Sequence, residues 1–530
     1  MCHACLELNV NGKVRALKTH KLLLPGDNIA IALSGGSCSL TLLSQVLPMR
    51  KDASTPRKER GKIPFGLTVI HINDASAHGA TATEAEAHGR AVVATAQQCA
   101  AIAAALTAAE NGGGVGSSST GATSASGIAI SPGLDVWVVP LRDVFLLGDT
   151  RALRREAVHS WRQQRQDKPA AAADEASMPG GEERRDAGVG TGAAGTSDGA
   201  EREARLQQLL QAVQDPTGRE DLIQHLRRRL LAAAGAMAGA TKLLCGDSAT
   251  ALAARVIADT AKGRGFALPS DIQLVDARGA GAGEPTFLYP MREVTVKEAV
   301  FVCRLRGLRP AELPGPLLLA RLAAASSGRH SHDPRRSINN LASTFIDSLQ
   351  ANLPSTIFTV LRTSSALRPF SFNSPDAMPA TCSAVTACGQ PIDVKAPHWG
   401  STDGGSVASG AGAAAGSRVG AVACCLLCRA PLSARELRAI AAAAASSSVA
   451  EGTKKAGAGS VEVAEVEAGA EADEDEDDAA APFCESCRGQ ILFRPGHHEA
   501  RGGEEAAGGG AGDGRARSLV QGLLPEALVA

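Results

Sequence analysis

The 530-residue sequence predicts an α/β protein built on a parallel, doubly wound sheet, and two observations lead to that prediction. Short apolar runs that fit buried strands alternate with segments in which apolar residues recur at helical spacing. Two of the strand-to-helix junctions, at 34–39 and 246–248, are rich in glycine and serine. Because loops at the carboxyl ends of parallel strands meet at one edge of a sheet, we expect these two junctions to lie side by side.

Each element follows from its local pattern. Buried strands are predicted where a short apolar run is bounded by polar or turn residues, and helices where apolar residues recur every three to four positions. The predicted strands lie at 29–33, 65–72, 134–141, 243–244, 272–275 and 285–289. The predicted helices lie at 40–46, 83–106, 202–213, 220–238, 295–305, 337–349 and 355–367, with one more around Leu252, Val256 and Ile257.

Composition divides the chain into a core and several tracts that cannot form one. The sequence contains 57 glycines and only 3% aromatic residues, and much of its hydrophobic fraction is alanine. We therefore predict an N-terminal segment at 1–24 and an α/β core at 25–310 that carries a disordered insertion at 166–200. A helical extension at 311–370 and a low-complexity region at 371–530 follow. The alanine-rich tracts are too short and too weakly apolar to span a bilayer, so we expect a soluble, intracellular protein without a membrane partner.

The glycine junctions are candidates for phosphate binding. A glycine turn between a strand and a helix lets the backbone approach an anion, and the helix N-terminus adds a partial positive charge. Neither a Walker A loop nor a dinucleotide fingerprint is present, because the lysine of the first and the third glycine of the second are missing. A serine-glycine turn without any ligand remains an open alternative. The candidate residues are Ser34, Gly35, Gly36, Ser37, Ser39, Gly246, Asp247 and Ser248.

Nucleic-acid contacts, if present, must be local. The formal net charge is −1, so no overall field attracts RNA. Two short basic clusters are the candidates, and an exposed helix face is the alternative for the first of them. The RNA-binding candidates are Arg227, Arg228, Arg229, Lys262 and Arg264.

Cysteine spacing predicts a metal site. Of the 13 cysteines, Cys425 with Cys428 and Cys484 with Cys487 form C-x-x-C pairs, and four thiolates complete a structural zinc site. The segment between the pairs is longer than the usual 15–20 residues, but the entropy of closing a loop rises only slowly with its length. Reduced, unpaired thiols are the alternative. Cys2 and Cys5 have the same spacing and supply half of a site.

Several of these blocks together resemble a known family. They are PGDNIAIALSGGSCS at 25–39, LLCGDSATALAARVIADTAKGRGFALP at 243–269, YPMREVTVKEAVFVCRL at 289–305, LPSTIFTVLRTSSAL at 353–367, and the two late cysteine pairs. In this combination and order the chain resembles the cytoplasmic tRNA 2-thiolation protein 2 family. That family supplies the second subunit of the eukaryotic wobble-uridine thiolation complex, within the PP-loop ATP-pyrophosphatase superfamily.

The resemblance implies a fold and a role. It implies an α/β/α sandwich with a parallel sheet and a cytoplasmic function in 2-thiolation of the wobble uridine of tRNAs for Lys, Glu and Gln. The implied partners are the catalytic thiolation subunit in a heterodimer, the tRNA, and a ubiquitin-like carrier that delivers sulfur as a thiocarboxylate. ATP with magnesium would adenylate the uridine, and the glycine turn would stabilise the leaving pyrophosphate.

Three departures from the superfamily pattern qualify that role. Cys38 stands where active members have the aspartate of SGGxDS. Cys245 lies beside a glycine turn, but Cys99 and Cys303 lack the C-x-x-C context of a catalytic partner, so buried, unreactive cysteines are the preferred interpretation. Cys2 and Cys5 match only the second of the family's two N-terminal pairs, which indicates a truncated start or an erroneous gene model.

These departures favour a required but non-catalytic subunit. Two other hypotheses remain open at this stage. One is a self-sufficient, ATP-dependent sulfurtransferase that adenylates tRNA, and the other is a zinc-ribbon RNA-binding module with no part in thiolation.

Overall fold

The computed structural model describes most of the chain outside its low-complexity tracts. The described residues are 2–51, 62–110, 134–147, 149, 151–154, 194–213, 215–280, 283–311, 337–367, 369–373, 424–425, 427–433, 435–438 and 483–492. Most of the insertion at 166–200 and most of the region 371–530 lie outside these residues.

Six strands form one sheet. They are β1 (Asn28–Ala32), β2 (Gly66–Asn73), β3 (Asp135–Pro140), β4 (Lys242–Leu244), β5 (Val275–Asp276) and β6 (Thr286–Leu288). The spatial order is β3-β2-β1-β4-β6-β5, and only the pair of β5 with β6 is antiparallel. The predicted parallel, doubly wound sheet is therefore confirmed, with one short antiparallel strand at its edge.

Helices cover the sheet on both faces and at one end. They are α1 (His3–Val14), α2 (Ala16–Thr19), α3 (Ser37–Val46), α4 (Ala82–Glu110), α5 (Ala194–Ala212), α6 (Pro216–Met237), α7 (Ala249–Ala261), α8 (Leu268–Ile272), α9 (Val296–Leu305), α10 (Ile338–Asn352), α11 (Thr356–Ser365) and α12 (Glu485–Cys487). Short 3-10 turns lie at Leu47–Met49, Ala75–His78, Leu141–Leu146 and Ser371–Asn373, and a π turn at Arg488–Leu492.

Three groups of buried side chains hold the layers together. Leu40 of α3, Val92 of α4 and Val302 of α9 belong to the cluster on one face of the sheet. Leu206 of α5 and Leu226 of α6 belong to the cluster on the other face. A third cluster joins α7, α8, α10 and α11. Helices α3, α4 and α9 therefore cover one face of the sheet and helices α5 and α6 cover the other, as a doubly wound fold requires.

Two predictions about local structure are wrong in part. Residues 272–275 do not form one strand, because Leu268–Ile272 is a short helix whose start contains Pro269, a residue suited to a first helical turn. Residues 194–200 of the proposed disordered insertion belong to α5. None of the helices in the described ranges is both long and apolar enough to cross a membrane.

A buried ion pair anchors the N-terminal ends of the central strands. Lys242 at the start of β4 lies with its Nζ 2.5 Å from Oδ2 of Asp27, and their side chains are 3% and 0% exposed. The same carboxylate oxygen accepts a hydrogen bond from the Leu24 amide at 2.7 Å. The pair therefore joins β4 to the turn that precedes β1.

Removing the lysine should be costly. Because Lys242→Ala leaves the Asp27 carboxylate buried and without its cation, we expect the free energy of unfolding to fall by about 3–5 kcal/mol in urea titrations. The double change Asp27→Asn with Lys242→Met removes both charges and should cost less. Equal losses for the single and double variants would contradict this assignment.

Candidate functional site

The two glycine junctions are in contact at the carboxyl edge of the sheet. The strand order reverses between the neighbouring strands β1 and β4, and such switch points are where ligands bind in open α/β sheets. A Cβ atom placed on Gly246 would lie 2.8 Å from the Cα of Ser39, so the second junction packs directly against the first. Only glycine fits at that position.

The polar groups of the first junction bind one another. The Ser39 hydroxyl donates to the carbonyl of Gly36 at 3.0 Å and lies 3.1 Å from the Ser34 hydroxyl. The Gly36 amide donates to the Ser34 hydroxyl at 3.3 Å. Ser37 and Ser39 are buried. The assignment of this junction to phosphate binding stays a prediction, and these internal hydrogen bonds compete with it.

The chain at Ala311, here called the strap, covers one side of the first junction. The Ala311 amide donates to the carbonyl of Gly35 at 2.9 Å. Gly35 has a φ of +87°, and a Cβ atom there would lie 2.8 Å from the Ala311 carbonyl oxygen and 2.9 Å from Val92. The left-handed conformation and the lack of space both require glycine. The chain itself therefore occupies the space next to Gly35.

Cys38 faces the second junction. Burial raises the pKa of its thiol to about 11, and the Asp247 carboxylate adds to that rise, against hydrogen bonds with Ser248 and Ser37. Ser248 caps α7, with its hydroxyl accepting from the Ala251 amide at 3.3 Å. An aspartate at position 38 would be a second carboxylate beside Asp247 in this partly buried place.

A polar cavity of about 320 Å³ lies beside the second junction. Its walls come from α6 and α7, its inner end from Cys245 and Tyr289, which follow β4 and β6, and its rim from α10. Asp247 lines it, whereas residues 34–39 do not. Burial raises the pKa of the Cys245 thiol well above its usual value, which agrees with an unreactive cysteine. The cavity therefore lies at the edge of the sheet, and the first junction forms no part of its wall.

The basic residues proposed for RNA contacts line or adjoin this cavity rather than a bare helix face. The three arginines of α6 each pair with a carboxylate, and the side chain of Arg227 is the most exposed of them at 46%. Arg228 also donates to the Tyr289 hydroxyl at 2.6 Å. The pairs are Arg227 with Asp74, Arg228 with Asp276, and Arg229 with Glu284.

The side chains of Lys262 and Arg264 are mostly buried. The Lys262 ammonium contacts Asp221 and Asp259, both at 2.9 Å, and its side chain is 3% exposed. Arg264 lies 3.6 Å from Asp259. These ion pairs hold the C-terminal end of α7. Contact of any of the five residues with RNA stays a prediction.

The late cysteine pairs come together. The sulfur atoms of Cys425, Cys428, Cys484 and Cys487 lie within 4.8 Å of one another, and all four residues are buried. Sulfurs that share one zinc ion at about 2.3 Å are about 3.8 Å apart, and the Cys428–Cys484 distance is 3.6 Å. The four cysteines, here called the cysteine tetrad, can therefore hold one metal ion.

Backbone and side-chain donors surround the tetrad. The Ala430 amide donates to the Cys428 sulfur and the Cys487 amide to the Cys484 sulfur, both at 3.4 Å. Hydrogen bonds from the other three thiols hold the pKa of Cys425 far below its usual value. The same bonds raise the pKa of Cys487. The four thiols therefore interact strongly, and a bound cation would favour the thiolate form of all four.

The tetrad is part of the main core, not a separate domain. All four cysteines belong to the same buried cluster as Leu226 of α6. The His225 Nε2 lies 4.0 Å from the Cys487 sulfur, and Cys428 lines the cavity. A metal ion at the tetrad would therefore fix part of the cavity wall.

The remaining cysteines show no such grouping in the described parts of the chain. Cys2 caps α1 and is exposed, as is Cys5, and neither joins a group of three metal-binding side chains there. Cys303 is buried against α3, with its thiol 3.3 Å from the Ser37 carbonyl oxygen. Burial raises the pKa of Cys99 to about 12. Metal binding by Cys2 and Cys5 stays a prediction.

Sequence reasoning missed the part of the cavity that α7 supplies. Arg255 donates to the Asp247 carboxylate at 2.9 Å, and burial of its guanidinium is more than offset by Asp247, which raises the arginine's pKa. A single arginine within the otherwise uncharged stretch 249–258 was the available signal. A charge on an apolar helix usually marks a buried partner or a site.

Comparisons with known proteins find relatives that share one description. A family model described as Cytoplasmic tRNA 2-thiolation protein 2 matches residues 337–489. Proteins of that name from Arabidopsis thaliana and Danio rerio are 26% and 25% identical over 70% and 73% of this chain, covering 60% and 68% of their own lengths. One from Oryza sativa subsp. indica is 33% identical over 32% of each chain. The chain thus spans 60% of the Arabidopsis relative.

The chain also has a weak match among the solved structures. It is the U34-tRNA thiolase NcsA from Methanococcus maripaludis with its [4Fe-4S] cluster, 12% identical, with the match covering 68% of this chain and 80% of that one. The TM-score is 0.36. A similarity of that size does not bear on the residues of the site.

Proposed function

We propose that the chain is a member of the cytoplasmic tRNA 2-thiolation protein 2 family, and that it is a non-catalytic subunit needed for 2-thiolation of the wobble uridine in cytoplasmic tRNA. The family model that matches residues 337–489 and the similar proteins of that name support this proposal. Its partner in a heterodimer would be the catalytic thiolation subunit, and its substrates the tRNAs for Lys, Glu and Gln. Sulfur would reach the complex from a thiocarboxylated ubiquitin-like carrier. We place this function in the cytoplasm.

The first glycine junction is the observation that supports a non-catalytic role. The hydroxyls of Ser34 and Ser39 are hydrogen-bonded to each other and to Gly36. Ala311 fills the space beside Gly35. Cys38 replaces the carboxylate that would hold a metal-nucleotide complex. A neutral thiol with a raised pKa is a poor ligand for magnesium, which prefers oxygen. ATP with magnesium therefore belongs, in this proposal, to the partner subunit.

We further propose zinc as the ion of the cysteine tetrad. The closeness of the four sulfurs fits one tetrahedral ion, whereas an iron–sulfur cluster separates its thiolates by several metal atoms. In a reducing compartment such thiols remain available as ligands. The ion would supply structure only, because all four positions around it are protein sulfurs.

Loss of the protein should abolish the modification. In cells that lack this chain we expect 2-thiouridine to disappear from the three tRNAs, because the partner lacks its second subunit. Mass spectrometry of wobble nucleosides measures this directly, and re-expression of the chain should restore the signal. Normal 2-thiouridine in the deletion strain would refute the proposal and favour a zinc-ribbon RNA-binding module.

A further inference from the structure

The first knuckle of the tetrad, which is the turn that carries Cys425 and Cys428, contains a strained residue. Two backbone hydrogen bonds close the turn: the Arg429 amide donates to the Cys425 carbonyl at 2.9 Å, and the Cys425 amide donates to the Ala430 carbonyl at 2.8 Å. Arg429 has a φ of +60°, in the left-handed region that favours glycine. Because this conformation is unfavourable for a residue with a Cβ atom, contacts from elsewhere in the protein must hold it.

Arg278 holds the main chain of that residue. Its Nη1 donates to the Arg429 carbonyl at 2.8 Å, and its Nε donates to both carboxylate oxygens of Asp276, at 2.9 and 3.0 Å. The Arg278 guanidinium also lies over the Phe372 ring, 5.7 Å from its centroid, and the side chain is only 7% exposed. Since Asp276 ends β5, the first knuckle is tied to the edge strand of the sheet.

Glu284 holds the side chain of the same residue. The Arg429 guanidinium forms an ion pair with the Glu284 carboxylate, which also lies 3.5 Å from Nη1 of Arg229 on α6. Arg278 and Glu284 both lie in the connection between β5 and β6. That connection therefore contacts the carbonyl and the guanidinium of one residue, which is next in sequence to Cys428.

The second knuckle, which carries Cys484 and Cys487, rests on a different element. Gly218 of α6 has no room for a Cβ atom, because the Gln490 carbonyl oxygen lies against it. Nε2 of His225, also on α6, lies 4.0 Å from the Cys487 sulfur. The relative position of the two pairs of sulfurs thus depends on how the first knuckle is attached to the sheet edge and the second to α6.

We propose that Arg278 and Glu284 are positioning residues for the metal ion of the tetrad. By holding Arg429 in its left-handed conformation, they place the Cys425 and Cys428 sulfurs where they meet those of the second knuckle. Contacts behind the ligands set metal affinity, because ligands that are already oriented lose less entropy on binding. These roles rest on the proposed binding of zinc by the tetrad.

Two substitutions of Arg429 test these roles in the full-length chain. The Arg429 side chain is 31% exposed, so neither change opens the core. Arg429→Ala removes the contact with Glu284 but keeps the Cβ atom, and we expect it to weaken Co²⁺ binding about tenfold or more, as is typical of changes behind metal ligands. Arg429→Gly removes the same contact but suits the left-handed turn, so it should retain most of the affinity.

Competition with a chelator measures the affinity for Co²⁺, whose visible absorption bands report tetrahedral thiolate coordination. Glu284→Gln should weaken binding by a factor similar to that of Arg429→Ala, because it removes the carboxylate that pairs with Arg429. Arg90→Ala is the matched control, since Arg90 is 56% exposed and pairs with Glu86 on α4, which packs on the opposite face of the sheet from the tetrad. It should leave the affinity unchanged, and melting curves should show that all variants fold.

Equal affinities in the unaltered chain and in the Arg429→Ala and Glu284→Gln variants would overturn the inference while leaving zinc at the tetrad. Equal losses in Arg429→Ala and Arg429→Gly would overturn it as well, because the charge and not the turn conformation would then matter. Failure of the unaltered chain to bind Co²⁺ would refute the metal site and, with it, these positioning roles. Loss of 2-thiouridine in the deletion strain would still support the proposed function in each case.

Discussion

Replacing Cys425 and Cys484 with serine should release the metal ion and lower the melting temperature sharply. Structural zinc contributes an apparent ~10–16 kcal/mol in zinc-finger peptides, which is comparable to the whole stability of a typical domain. Because the tetrad lies in the same buried cluster as Leu226 of α6, losing the ion should weaken the core on that face of the sheet. Metal analysis and thermal unfolding of the purified protein measure the two effects.

Cys424→Ser is the natural control for that experiment. Cys424 is adjacent in sequence to a tetrad member but is not one of the four grouped sulfurs. Its replacement should keep the metal bound and change stability little. Unchanged metal content in the Cys425→Ser and Cys484→Ser variants would mean that the four sulfurs do not share an ion.

The isolated chain should release no pyrophosphate from ATP in the presence of tRNA, whereas its mixture with the catalytic subunit should. The physical reason is the first glycine junction, where Ala311 fills the space beside Gly35 and Cys38 offers a thiol rather than a carboxylate. A pyrophosphate assay with each protein alone and with both together gives the comparison. Turnover by this chain alone would favour a self-sufficient sulfurtransferase.

Introducing an aspartate at position 38 should not give the isolated chain activity. In Cys38→Asp the new carboxylate would lie close to Asp247 in the partly buried place that raises the pKa of the Cys38 thiol. We expect a loss of about 1–2 kcal/mol in unfolding free energy at neutral pH, since like charges repel and burial disfavours the ionised form. Cys38→Ser, which is uncharged, should fold with nearly native stability. A gain of pyrophosphate release in Cys38→Asp would mean that the strap at Ala311 does not block the junction.

Local sequence determined all the strands except the short one at Val275–Asp276, together with the two glycine junctions and the C-x-x-C pairs. Periodicity, backbone freedom and ligand spacing are properties of neighbouring residues. Even the contact between the junctions followed from the rule that parallel strands end at one edge. Only the tertiary structure decided which side chains pair across long separations. It placed Arg228 and Lys262 in ion pairs, set Ala311 against Gly35, and packed the cysteine tetrad into the core beside the cavity. Such pairings depend on distances between residues far apart in the chain, and no local pattern encodes them.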